Sequence, residues 1–242
     1  MAAEGSIKAV LLDIGTACSI SFVRDVLFPY ALNTLPKFLE ENWSSPDFAP
    51  YKATFPEHAQ KSPAALQSYV RELTEKDIKV ACLKNLQGLL WRAGYENGSI
   101  KAPIYSDVFP AINIWVREKG LKVLIYSSGS VAAQKLLFRH TDIVGLENGD
   151  MTPYLTGYYD TVNAGMKQDP QSYRNIAEDM KIQPEEWLFL SDNVKEVEAA
   201  KAAGMNSMIV VRPGNEPLTP GDRAHHRVLD GGFGELVETF LG

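Results

Sequence analysis

The feature that most constrains this chain is the run Val10-Leu11-Leu12-Asp13-Ile14-Gly15-Thr16, an apolar stretch ending on a carboxylate, with a glycine and a hydroxyl close behind. Consecutive apolar residues without polar alternation fit a strand covered on both faces, as in a parallel α/β sheet. In such sheets ligands sit outside the carboxyl ends of the strands. Asp13 therefore stands where a ligand is expected.

The later chain repeats this design. Leu121–Tyr126 forms a second apolar strand after an amphipathic stretch, Val108–Lys119, closed by Gly120. Further strands are expected at 157–161, 187–190 and 207–211, alternating with helices at 169–180, 194–203 and 233–241. That alternation implies a parallel sheet with right-handed crossovers.

Between the first two strands the pattern changes to helical. Ile20–Leu39 has helical spacing, which Pro29 and Pro36 divide into two short helices, and Ala64–Trp91 carries Leu66, Tyr69, Val70 and Leu73 on repeating faces. Asn42–Pro63, rich in Ser, Pro and Asp without periodicity, reads as an irregular exposed segment. The expected organisation is an α/β core of residues 1–19 and 105–242, interrupted by a helical insertion at 20–104.

Bulk properties exclude several functions. A formal charge of -6 argues against nucleic-acid binding, and no apolar segment is long enough to span a bilayer. Met1–Ser6 lacks a basic segment followed by an apolar one, so the cytosol is the expected location, with the nucleus as the second. Cys18 and Cys82 provide neither a disulfide framework nor metal-ligand spacing. The chain is expected to be monomeric.

Three further stretches carry chemistry. Ser127-Ser128-Gly129-Ser130 joins the second strand to a helix beginning at Val131, and hydroxyls with free N–H groups at a helix N-terminus suit phosphate. The strand at 187–190 delivers Ser191-Asp192-Asn193, with Glu196 one turn later. Asp192 fits as a cap of the following helix, a role compatible with metal binding, and a second aspartate at the same sheet edge as Asp13 gives two carboxylates, enough to hold Mg²⁺ with waters and a substrate phosphate. Lys167 precedes the 169–180 helix, as a solvated charge or as a cation reaching in to neutralise Asp13 and phosphate.

The order Asp, Ser, Lys, Asp at four strand or loop ends resembles the four motifs of the haloacid dehalogenase-like superfamily. Longer stretches carry a closer match: Phe22-Val23-Arg24-Asp25-Val26-Leu27-Phe28-Pro29-Tyr30, Leu86-Gln87-Gly88 with Trp91-Arg92, Ile125–Ser130, Gln134–Phe138 and Val211-Arg212-Pro213-Gly214-Asn215. From about Ala9 to its end the chain resembles the enolase-phosphatase (acireductone synthase) family of methionine salvage. That resemblance implies a Rossmann-like parallel-sheet core with a helical cap inserted between the first and second motifs. It also implies a Mg²⁺-dependent phosphomonoester hydrolase with a small, sugar-like substrate, a diketo-methylthiopentyl phosphate, enolised and then dephosphorylated. By position, Asp13 would be nucleophile and metal ligand, Ser127 and Ser128 phosphate binders, Lys167 a catalytic and substrate-binding cation, and Asp192 the second metal carboxylate. Gly15 would meet the metal through its main-chain oxygen. Gly129 and Lys135 would add loop shape and charge.

One departure stands out. The family reads Asp-Ile-Glu-Gly-Thr, then two variable positions and a proline, whereas here Asp13-Ile14-Gly15-Thr16-Ala17-Cys18-Ser19 is one residue shorter, lacks the glutamate and has Ser19 for the proline. In this superfamily the side chain two places after the nucleophile is the usual general acid/base. Gly15 carries no proton, so turnover is expected to fall by about 10²–10⁴-fold. Two alternatives remain: a dehalogenase-like or phosphonatase-like enzyme, whose relatives also lack an acid there, and a non-catalytic phosphate-binding protein. Dehalogenation needs no Mg²⁺, so Asp192 and the serines count against it.

Overall fold

The computed structural model describes residues 7–239, so Met1–Ser6 and the end of the expected 233–241 helix lie outside it. The chain divides into two compact units, one formed by residues up to Ile20 together with those from Ala102 on, the other by Ser21–Lys101.

The first unit is built on six parallel strands: β1 (Ala9–Asp13), β2 (Lys122–Tyr126), β3 (Gly157–Tyr159), β4 (Trp187–Ser191), β5 (Asn206–Val210) and β6 (Val228–Leu229). Their order is β3-β2-β1-β4-β5-β6. Every residue of β1 and β4 is buried, as expected of apolar runs covered on both faces. Between the strands run the helices Val108–Arg117, Val131–Arg139, Pro170–Met180 and Val194–Ala202. One layer of the core joins Leu11, Leu124, Tyr126 and Phe189 to Tyr173 and Ile176 of the 170–180 helix. β6 has only two residues, too few to show as an apolar run in the sequence.

The topology singles out one place for chemistry. From β1 the chain builds outward through β2 and β3, then crosses back to place β4, β5 and β6 on the other side. The switch point is thus the crevice at the carboxyl ends of β1 and β4. Asp13 pairs with Tyr126, and Leu12 with Leu190, so Ser127 and Asp192 each follow close on the level of Asp13 in the flanking strands.

In the second unit two expectations are corrected. Ile20–Leu39 is not two short helices separated by prolines: Ile20–Phe22, a π-helical turn at Val23–Leu27 and the helix Phe28–Asn42 follow without a break. Pro29 follows closely on the π-helical turn, so its missing N–H forfeits a bond to that turn. Pro36 forfeits one interior hydrogen bond, and the neighbouring Leu35 and Leu39, both fully buried, hold the helix in place by packing. Nor is Asn42–Pro63 exposed throughout. It contains a helix, Ala49–Ala53, and sinks Phe48, Phe55 and Ala59 into a core shared with Leu35, Leu66 and Leu86. Isolated aromatic anchors carry no period and escape a periodicity search. Ala64–Trp91 is helical as expected, in two helices, Pro63–Glu75 and Ala81–Glu96, parted by a turn in which Asp77 has φ +51°. Among the described residues, no helix is long and apolar enough to cross a membrane.

Leu11 is fully buried in the central strand, so Leu11→Ala should cost about 2–5 kcal/mol by urea denaturation. An unchanged midpoint would contradict the packing described.

Candidate active site

Asp13 ends β1 and caps the single-turn helix Ile14–Ala17. Its Oδ2 accepts from the Gly15 N–H at 3.1 Å, and its main-chain oxygen accepts from Thr16 Oγ1 at 2.6 Å. Lys167 forms an ion pair with Asp13 Oδ1 and a second with Glu196 Oε2 at 2.7 Å. It is no solvated surface charge: only 9% of it is exposed.

The loop bearing Lys167 is fastened at successive carbonyls. Tyr126 OH donates to Gly165, Ser172 Oγ to Met166 and Tyr173 OH to Lys167, at 2.7, 2.8 and 2.7 Å. Gly165 has φ +115°, and a Cβ there would lie 2.4 Å from Ser172 Oγ, so only glycine fits this close turn. The ammonium is delivered by backbone that is itself tied down.

Asp192 follows β4, and its Oδ2 accepts from Asn215 Nδ2 at 2.7 Å. The helix-cap reading of Asp192 is corrected here. Asn193 caps Val194–Ala202 by accepting from the Lys195 N–H at 3.0 Å, which leaves the Asp192 carboxylate free for the site. Glu196 lies one turn into that helix and accepts from Ser191 Oγ at 2.8 Å. Its helical spacing from Asp192 was the only sequence sign of its place beside Lys167.

Charge is distributed unevenly. Burial opposes the Lys167 charge, but Asp13 and Glu196 together hold the ammonium above its ordinary value. Burial also pushes Glu196 up, against the pull of Lys167. Burial, with repulsion from and hydrogen bonding to Asp13, pushes Asp192 up to about 7.

Ser127 and Ser128 lie at the end of β2. Ser127 is buried and accepts from the Gly129 N–H at 3.1 Å, whereas Ser128 is exposed. Gln134 Nε2 ties this loop down by donating to the carbonyls of Gly129 and Tyr159, each at 2.8 Å. Asp160 accepts from the Val131 N–H at 2.9 Å. Lys135 instead lies 5.6 Å from the Tyr158 ring centroid. The structure thus gathers Asp13, Lys167, Asp192 and Glu196 into one network and sets the serines on the adjacent strand end.

No group of three or more His, Cys, Asp or Glu among the described residues is arranged to hold a metal ion alone. Asp13 and Asp192 nevertheless suit Mg²⁺, which takes one or two carboxylates and completes its shell with water and substrate phosphate. Burial and then repulsion from Asp13 raise the Asp192 carboxyl, and a divalent cation shared by the two carboxylates would offset that repulsion.

The family model for haloacid dehalogenase-like hydrolase matches residues 7–204. CbbY from Rhodobacter sphaeroides, solved in complex with phosphate, has the same fold at TM-score 0.58 and 18% identity, over 95% of this chain and 96% of that one. The crystal structure of the UTR4 protein of Saccharomyces cerevisiae matches with TM-score 0.81 and 39% identity, covering 93% of this chain and 98% of that one. Enolase-phosphatase E1 of Neurospora crassa is 56% identical over 92% of this chain and 95% of its own length, and that of Verticillium alfalfae 53% identical over 98% and 89%. The chain belongs to the haloacid dehalogenase-like hydrolases and, within them, to the enolase-phosphatase E1 family.

Asp192 gives this site a pH signature. A carboxyl held near 7 in the folded chain and near 4 when unfolded is protonated in the fold but ionised in the unfolded chain between those two values. Its ionisation costs nothing below the unfolded value, destabilises increasingly between the two, and costs most above the folded one. In chelator-containing buffer, Asp192→Asn should therefore raise the thermal midpoint at pH 8, and the gain should vanish toward pH 4. A gain independent of pH would contradict the raised value.

Proposed function

We propose that this chain is a phosphomonoester hydrolase of methionine salvage whose substrate is a diketo-methylthiopentyl phosphate, and that Asp13 is its nucleophile. The observation that carries this reading is the Lys167 ammonium, buried between Asp13 and Glu196 with the Asp192 carboxylate against Asp13. A carboxylate, a fixed cation and a second carboxylate at a sheet switch point suit phosphoryl transfer to an aspartate. Relatives named Enolase-phosphatase E1 support the phosphatase reading, and the substrate is the one that the family resemblance implies.

In this mechanism an Asp13 oxygen attacks phosphorus, the bond to the substrate oxygen breaks, and an aspartyl-phosphate forms. Water then attacks that phosphorus and releases inorganic phosphate. Lys167 offsets the repulsion between carboxylate and phosphate, while Ser127 and Ser128 bind phosphate oxygens. Mg²⁺ would be held by Asp13, Asp192 and the Gly15 carbonyl, and would supply charge neutralisation at the transferring group.

The proton is the weak step. The departing oxygen needs one and the attacking water must lose one, and Gly15 supplies neither. We therefore place the activity of this chain below that of relatives with glutamate. Inserting Glu between Ile14 and Gly15 should raise phosphate release by up to about 10²–10⁴-fold. Equal turnover with and without the insertion would mean that another group handles the proton. Lys167→Met should weaken phosphate-ester binding and leave Asp13 and Glu196 facing each other unpaired. An unchanged KM and kcat would remove the lysine from the mechanism.

A further inference from the structure

The segment Arg212-Pro213-Gly214-Asn215, just after β5, has no part in the chemistry above. It is a type II turn: the Asn215 N–H donates to the Arg212 carbonyl at 3.1 Å, Pro213 holds the second position, and Gly214 has φ +87°, as the third position requires. Asn215 Oδ1 accepts from the Arg212 N–H at 2.7 Å, which orients its amide so that Nδ2 donates to Asp192 at 2.7 Å. At the other end of the turn, Arg212 Nε donates to the Thr16 carbonyl at 2.8 Å. Thr16 in turn donates from Oγ1 to the main-chain oxygen of Asp13.

The guanidinium is held on all sides. It forks onto Asp107 at 2.8 and 2.9 Å, Asp107 also accepts from the Phe233 N–H at 2.7 Å, and the rings of Tyr105 and Phe233 lie 4.5 and 4.9 Å from it. Bidentate pairing and ring contacts of this kind fix an arginine in one geometry. Only 7% of it is exposed.

We infer that the Arg212–Asn215 turn is a positioning device: one rigid four-residue unit holds Asp192 through the Asn215 amide and the Asp13 loop through the Arg212 guanidinium on the Thr16 carbonyl, setting the spacing of the two carboxylates for a phosphate-bound divalent cation. This rests on the proposed reading of the site. Two carboxylates that repel each other need outside support to stay in register, and such outer partners are worth about 10–100-fold in metal affinity or activity. Neither Arg212 nor Asn215 touches the reacting atoms.

The test is Mg²⁺ binding to the full chain by calorimetry, with thermal unfolding in parallel. Asp192→Asn should remove most of the binding and serves to check the site itself. Asn215→Ala and Arg212→Lys should each weaken binding by about 10-fold or more, and the double variant should lose less than the product because both act through one turn. A merely structural role would lower the thermal midpoint of Asn215→Ala and leave its Mg²⁺ affinity intact. Asn215→Ala with the affinity of the parent overturns the inference, whatever the folding of Arg212→Lys. A parent chain that binds no Mg²⁺ overturns the reading of the site, and the role of the turn with it.

Discussion

The structure depends on one buried cation. Lys167 stands between Asp13 and Glu196, drawn into the protein by two carboxylates that neither water nor the surface could pair as closely. An ammonium alone in such a place would cost several kcal/mol, and removing either partner would leave an uncompensated charge. Asp192 adds a third carboxylate to one ammonium, and Asn215 donates to it as a neutral amide. The site is thus built with surplus negative charge, which burial makes expensive and which a divalent cation and an incoming phosphate would reorganise. Function and strain share one origin here.

Delivering these groups takes more than strand ends. β1 brings Asp13 directly, but Lys167 arrives on a loop whose carbonyls are tied to Tyr126, Ser172 and Tyr173. Asp192 is available because Asn193 takes the capping role at the next helix. The sheet order places β1 beside β4, so the nucleophile candidate and the second carboxylate meet across the switch point. Local chemistry, loop anchoring and topology converge on the same few ångströms.

Much of this was legible in the chain. The strands β1, β2, β4 and β5 announce themselves as apolar runs, and Asp13, Lys167 and Asp192 as polar residues at their ends or in a connecting loop. What periodicity could not reveal were contacts that exist only in three dimensions. Glu196 reads as an ordinary helical glutamate until Lys167 is beside it, and Arg212 meets Thr16 across a long sequence separation. Phe48 and Phe55 lie in a segment without period, yet both are buried. Pro29 and Pro36 read as breaks because propensity argues locally, whereas the buried Leu35 and Leu39 hold the helix through packing.

On the proposed reading, Gly15, where the family resemblance expects a glutamate, separates binding from turnover. The carboxylates and Lys167 stay gathered without it, while proton transfer loses its usual carrier. On the proposed mechanism the missing carboxylate slows both formation and hydrolysis of the aspartyl-phosphate, but an aryl phosphate, whose leaving group needs no proton, should form it and leave it to accumulate before hydrolysis. The direct measurement is mass spectrometry of the acid-quenched chain after mixing with Mg²⁺ and an aryl phosphate monoester. The predicted result is the added mass of one phosphoryl group on the peptide containing Asp13, lost on treatment with hydroxylamine and absent from Asp13→Asn. Release of inorganic phosphate with no phosphoryl group ever found on Asp13 would contradict it.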